Sequence, residues 1–122
     1  LEGDARAEVA IIGGGVTGAL LSWILVQHGI EVLLVDKRQP TTGSTAASTG
    51  LLQYEVDTPL VELIEKVGEA RAVHAYRRGV QAIEELAELA AELPGNVDFQ
   101  RRKSLYVATT ADDVQDLRAE YE

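Results

Sequence analysis

The sequence predicts an α/β fold opened by a β-α-β unit, and three observations within residues 9–36 predict it. The apolar run Val9–Ile12 leads straight into Gly13-Gly14-Gly15-Val16-Thr17-Gly18, which fits G-x-G-x-x-G at Gly13, Gly15 and Gly18. An apolar, helix-like run from Ala19 to Val26 follows and extends to about His28, where Gly29 supplies a common helix stop. Ile30–Val35 is then nearly all apolar, as a parallel strand buried on both faces should be, and it ends at Asp36.

In a Rossmann-like unit each glycine of this spacing has a task. Gly13 lets the chain leave the strand in a tight turn. Gly15, without a Cβ, leaves room for a pyrophosphate beside the backbone, and Gly18 lets the helix pack closely on the strand. The N–H groups of the first helical turn would face the phosphates, with the helix dipole favouring negative charge. Asp36 lies about 20 residues past the glycines, where an acidic residue accepts the ribose hydroxyls. A glycine turn without a ligand is the alternative, and the ordered set of strand, glycines, helix, Gly29, strand and Asp36 argues against it.

Composition narrows the function classes. A chain of 122 residues is enough for one small domain. It has no Met and begins at Leu1, which suggests a fragment, a processed chain or an incomplete gene. With no cysteine there is no disulfide framework and no Cys-based metal site or nucleophile. The net charge of −9, with acidic residues crowded after residue 54, argues against nucleic acid, whose phosphates need a basic surface. No apolar run approaches the roughly 18 residues that span a bilayer, and residues 1–8 lack a signal-peptide layout. A cytoplasmic protein is expected, with peripheral membrane association left open.

The rest of the chain is taken in order. Residues 1–7 read as a disordered lead-in. In the helix of the β-α-β unit, Trp23 reads as core rather than ligand contact. Residues 37–50 are rich in small hydroxyl residues and carry Pro40 and Gly43. That composition suits a linker. It equally suits a site, because this loop leaves the carboxyl end of the second strand, the edge where open α/β sheets bind ligands. Asp57-Thr58-Pro59 signals a helix start, with Leu60, Leu63, Ile64 and Val67 at helical spacing and Gly68 as its end. A longer helix over 69–93 carries one apolar stripe of Val73, Tyr76, Val80, Ile83, Ala87 and Ala90. Glu84, Glu85, Glu88 and Glu92 on its other face read as solvation rather than a metal cluster, and His74 has no partner at ligand spacing. Pro94-Gly95-Asn96 is a turn. Val97–Gln100 and Ser104–Ala108 read as two strands, with Arg101-Arg102-Lys103 at a hairpin tip. Thr110-Ala111-Asp112-Asp113 approximates a capping box with Asp in place of Glu, opening a helix through Val114, Leu117 and Tyr121.

On these residues the chain resembles the D-amino-acid-oxidase-like family of FAD-dependent oxidoreductases, which includes glycine and sarcosine oxidases and D-amino acid dehydrogenases. Ile11-Ile12-Gly13-Gly14-Gly15-Val16-Thr17-Gly18 matches the family's opening. Val35-Asp36-Lys37-Arg38 fits its second-strand end, where Glu is more usual than Asp. Gly43 to Gln53 resembles its second flavin-contacting loop. The resemblance implies FAD as cofactor, with Ser44 and Thr45 near the pyrophosphate and Gly50 and Leu51 beside the isoalloxazine ring. The implied cofactor-binding set is Gly13, Gly15, Val16, Thr17, Gly18, Asp36, Lys37, Arg38, Ser44, Thr45, Ser48, Thr49, Gly50 and Leu51. Residues 1–95 would form the FAD-binding portion with a helical extension, and 96–122 the truncated beginning of an α+β substrate domain.

The implied function is a flavin-dependent oxidoreductase that oxidises an amine or amino acid by hydride transfer to the flavin N5. Its partner would be a small molecule: an amine, an amino acid or a hydroxy compound. No catalytic residue and no metal ligand is identified, which suits chemistry carried by a cofactor. An NAD-binding dehydrogenase domain and a non-catalytic dinucleotide-binding module are the alternatives.

Overall fold

A computed structural model of the chain describes residues 4–40, 42–55 and 57–121. Leu1–Gly3 of the expected lead-in, Thr41, Val56 and Glu122 lie outside the described residues. The described chain forms two compact units, residues 1–51 and 52–122.

The first unit is the β-α-β unit. Strand β1 spans Val9–Ile12, helix α1 spans Val16–Gln27 and strand β2 spans Val32–Val35. The strands pair in parallel, from Val9 opposite Val32 to Ile12 opposite Val35. The ladder runs one bond further, because the Gly13 N–H donates to the Val35 carbonyl at 2.7 Å. β2 begins two residues later than its apolar run: the helix end claims Ile30, and Glu31 meets β1 only through its carbonyl, which accepts the Val9 N–H at 3.1 Å. The Gly29 N–H donates to Val26 and the Ile30 N–H to Leu25, the paired bonds that close a helix around a left-handed residue, here Gly29 at φ +75°. After β2 a short 3-10 turn, Ser44–Ala47, interrupts the hydroxyl-rich loop.

The second unit is helical. Helix α2 spans Leu60–Val67, α3 spans Glu69–Glu92 and α4 spans Ala111–Tyr121. Gly68 joins α2 to α3: its N–H closes the end of α2 on Ile64, and its carbonyl accepts the Ala72 N–H. Most of the expected stripe of α3 is half-buried, although Val80 is exposed, and the fully buried residue of this helix is Ala72. The expected capping box forms at α4. Thr110 Oγ1 accepts the Asp113 N–H at 3.2 Å, and Asp113 Oδ2 accepts the N–H groups of Thr109 and Thr110, both at 2.8 Å. Asp113 also takes the Thr109 hydroxyl at 2.7 Å, so the shorter acid does the work usually given to Glu.

Two expectations are corrected. Val97–Gln100 and Ser104–Ala108 do not pair as a hairpin: no strand lies between 97 and 108, and Leu105 and Val107 are exposed. A strand is stabilised by its neighbours, and these segments find none among the described residues. The polar residues between them bond instead to side chains, Arg101 to Glu84 and Arg102 to Gln100. Trp23 is not core; it is 39 % exposed. A two-stranded sheet covers one side of α1, whose surface is apolar all round, so Trp23, Ile24 and Val26 stay open to solvent. The hydrophobic residues buried outright among the described residues are Ile11 and Ala72.

The capping box yields a test. Hydrogen bonds, first that of the Thr109 hydroxyl, hold the Asp113 carboxyl well below the usual carboxylate range. A depressed folded-state value means that the stabilisation is complete above about pH 4 and is lost as pH falls through the lower folded value. Asp113→Ala is expected to fray the first turn of α4 at neutral pH, read as reduced helical Cα secondary shifts at 111–114. Unchanged shifts in the variant would show that the box does not hold the helix.

Candidate functional site

The site is built where β1 turns into α1. Gly13 leaves the strand at φ +116°, a conformation that a side chain would strain. The chain then enters α1 at Val16. Here the backbones come so close that a Cβ on Gly18 would stand 1.9 Å from the Gly13 carbonyl oxygen. No side chain fits that gap without moving backbone, so Gly18 sets the depth at which α1 sits on β1.

Two later segments converge on this turn. Asp36 follows the last residue of β2. Its Oδ2 accepts the Gly14 N–H at 2.7 Å and its Oδ1 accepts the Arg38 N–H at 2.7 Å. These two bonds, the Gly14 bond foremost, hold its carboxyl below the usual carboxylate range. The carboxylate is therefore ionised at neutral pH, and with about four acceptor positions it keeps two for a ligand's hydroxyls. From the 3-10 turn, Thr45 Oγ1 accepts the Val16 N–H at 3.1 Å and lies 3.3 Å from where a Gly15 Cβ would be. Thr45 thus caps α1 from outside, because the residue at the cap position, Gly15, has no side chain to do so.

The fourteen expected residues divide accordingly. Gly13, Gly15, Val16, Gly18, Asp36 and Thr45 come together at the turn, joined by Gly14, which the sequence pattern does not single out. Thr17 lies in the first turn of α1, where N–H groups have no partner within the helix. Arg38 reaches over the loop, its Nη2 3.1 Å from where a Gly43 Cβ would be. Ser44 opens the 3-10 turn that carries Thr45. Lys37 is exposed, with no hydrogen bond to the turn among the described residues. Ser48 and Thr49 make local turns, accepting the N–H groups of Gly50 at 3.3 Å and Leu51 at 3.5 Å. The bond between Asp36 and Gly14 was within reach of the sequence: pairing Ile12 with Val35 sets the next residues, Gly13 and Asp36, side by side. The capping by Thr45 was not, since nothing in the spacing folds the loop back onto α1.

A helix N-terminus without a first-turn acid, a backbone stripped of Cβ atoms and a hydroxyl at its mouth could hold a diphosphate, and Asp36 at one side could accept from a sugar diol. Among the described residues no group of His, Cys, Asp and Glu is placed to hold a metal ion, and no helix is long and apolar enough to cross a membrane.

The family model for DAO, FAD dependent oxidoreductase, matches residues 8–122. The protein YhfW of Bacillus subtilis, named for a Rieske 2Fe-2S iron-sulfur centre, is 26 % identical over 122 residues, covering 100 % of this chain and 24 % of its own. Glycine oxidase of Geobacillus kaustophilus is 28 % identical over 121 residues, 95 % of this chain and 29 % of its own. Mitochondrial dimethylglycine dehydrogenase of Rattus norvegicus is 44 % identical over 50 residues, 40 % of this chain and 6 % of its own. The chain thus spans less than a third of the length of each of these relatives. No solved structure gives a significant match.

Neighbouring glycines should behave very differently. A Cβ on Gly14 would meet Asp36 at 3.5 Å, an ordinary contact, so Gly14→Ala is expected to change the melting temperature little. Gly18→Ala must displace α1 or Gly13 and is expected to cost about 3 kcal/mol or more. Thermal unfolding of the two variants checks this, and equal melting temperatures would refute the proposed packing of α1 on β1.

Proposed function

The chain belongs to the DAO family of FAD dependent oxidoreductases, and we propose that it is the cofactor-binding part of an enzyme that oxidises an amine or an amino acid. The observation that carries the reading is the meeting of Gly14, Val16, Asp36 and Thr45 around the N-terminus of α1. On this reading the N–H groups of the first turn and the Thr45 hydroxyl hold the pyrophosphate of FAD. Asp36 accepts the ribose hydroxyls and would repel the extra phosphate of an NADP-type cofactor. Lys37 and Arg38 flank the adenosine half, and Ser48–Leu51 lie toward the isoalloxazine half. When bound, the flavin supplies a hydride acceptor at N5; the protein supplies position and electrostatics.

The names of glycine oxidase and dimethylglycine dehydrogenase support an amine or amino acid as substrate. Residues 1–95 form the cofactor portion on this reading, and 96–122 open the substrate domain. The exposed apolar run Leu105, Tyr106, Val107 fits a strand that pairs with a neighbour in that domain.

Binding of FAD to the full-length protein tests the reading. Wild type is expected to purify yellow or to take up FAD. Gly15→Val, which fills the space beside Thr45, is expected to abolish binding. Asp36→Ala removes a charged acceptor and is expected to weaken it about ten- to a hundredfold. FAD affinity unchanged in both variants would remove the turn from the cofactor site.

A further inference from the structure

Gly79 stands in the interior of α3, where glycine weakens a helix relative to alanine. Space accounts for it. A Cβ at this position would lie 2.8 Å from the Tyr54 carbonyl oxygen, 3.2 Å from the Tyr54 Cα and 3.3 Å from the Tyr54 Cβ. The two closest of those atoms are backbone, so turning a side chain would not make room for a methyl group. Either α3 or the segment at Tyr54 would have to move. The missing side chain is a notch in α3 that receives the Tyr54 backbone.

Tyr76 lies three residues earlier on α3, on the same face of the helix, and holds the same segment. Its ring meets the Tyr54 ring edge-on with centres 6.3 Å apart, and its hydroxyl donates to the Thr58 carbonyl at 2.7 Å. Residues 52–55 have no helix, strand or backbone–backbone hydrogen bond of their own among the described residues. Packing on α3 therefore sets their path. Leu51 precedes Tyr54 by three residues, so the chain keeps it within about 10 Å of that anchor. On the other side of Leu51, Gly50 makes a turn at φ +71°.

We propose that Gly79 is a positioning residue for the cofactor site: by admitting the Tyr54 backbone to α3 it fixes the end of the loop that carries Gly50 and Leu51. The proposal rests on the reading that this loop lies toward the isoalloxazine half of FAD. Gly79 acts through the backbone between Tyr54 and Leu51, not by contact with the flavin.

Gly79→Ala in the full-length protein tests this with two readouts. In the FAD-free protein the backbone amides of residues 50–55 are expected to shift, while those of 13–18 stay in place. In the FAD-bound protein the visible absorption bands and the fluorescence of the flavin are expected to shift, with FAD affinity nearly unchanged because the glycine turn is untouched. Ala82→Gly is the control. It removes a methyl group from an exposed position of α3 and weakens the helix, so it is expected to lower the melting temperature and leave the flavin bands as they are. Tyr76→Phe deletes the bond to Thr58 without adding bulk, and is expected to move the same amides and bands to a smaller extent, whether or not Gly79→Ala folds. Flavin bands that match wild type in both Gly79→Ala and Tyr76→Phe overturn the proposal and leave the cofactor reading intact. So does an equal band shift in Ala82→Gly, which would reduce the effect to helix stability. A full-length wild type that takes up no FAD overturns the cofactor reading, and the proposal with it.

Discussion

The first unit depends on one close approach, that of α1 to the Gly13 carbonyl at Gly18. A methyl group there would stand 1.9 Å from the oxygen, so the helix can descend onto the strand only because position 18 has none. That depth fixes where the first turn of α1 begins. It places the Val16 N–H within reach of Thr45 and the Gly14 N–H within reach of Asp36. Both contacts join residues far apart in sequence, and both end on the same short stretch of backbone.

Electrostatics follow from that arrangement. The N-terminus of α1 carries the positive end of the helix dipole and no acid in its first turn. Asp36 supplies a fixed negative charge one residue after β2, held by two backbone N–H groups rather than by a basic side chain. A ligand with an anionic centre and a neutral diol a few ångströms away matches this pairing of positive mouth and negative flank. The dinucleotides are ligands of that kind, and the family to which the chain belongs uses one of them.

Much of this was legible in the sequence because it is local or periodic. The glycine spacing, the apolar period of β2, Gly29 as a helix stop and the capping box at Thr110 each draw on rules that act over a few residues, and each appears in the structure. What failed was non-local. The segments 97–100 and 104–108 carry the β-branched and aromatic residues that suit strands, but composition names no partner. Trp23 lies in an apolar helix, a setting that predicts core, yet burial depends on how many strands lie beneath, and β1 and β2 are two. Only the family resemblance points Thr45 toward the pyrophosphate, and its bond to Val16 depends on how a loop folds back.

The central claim is that the glycine turn, Asp36 and the loop bearing Thr45 act as one cofactor cradle. Titration of FAD into isotope-labelled protein, followed by backbone amide NMR, tests it most directly. The account predicts saturable shifts concentrated at the amides of residues 13–18, 36–38 and 43–51, with the Val16 amide among the largest as its partner changes from Thr45 to phosphate. Saturable FAD binding that leaves the amides of 13–18 unmoved would contradict it.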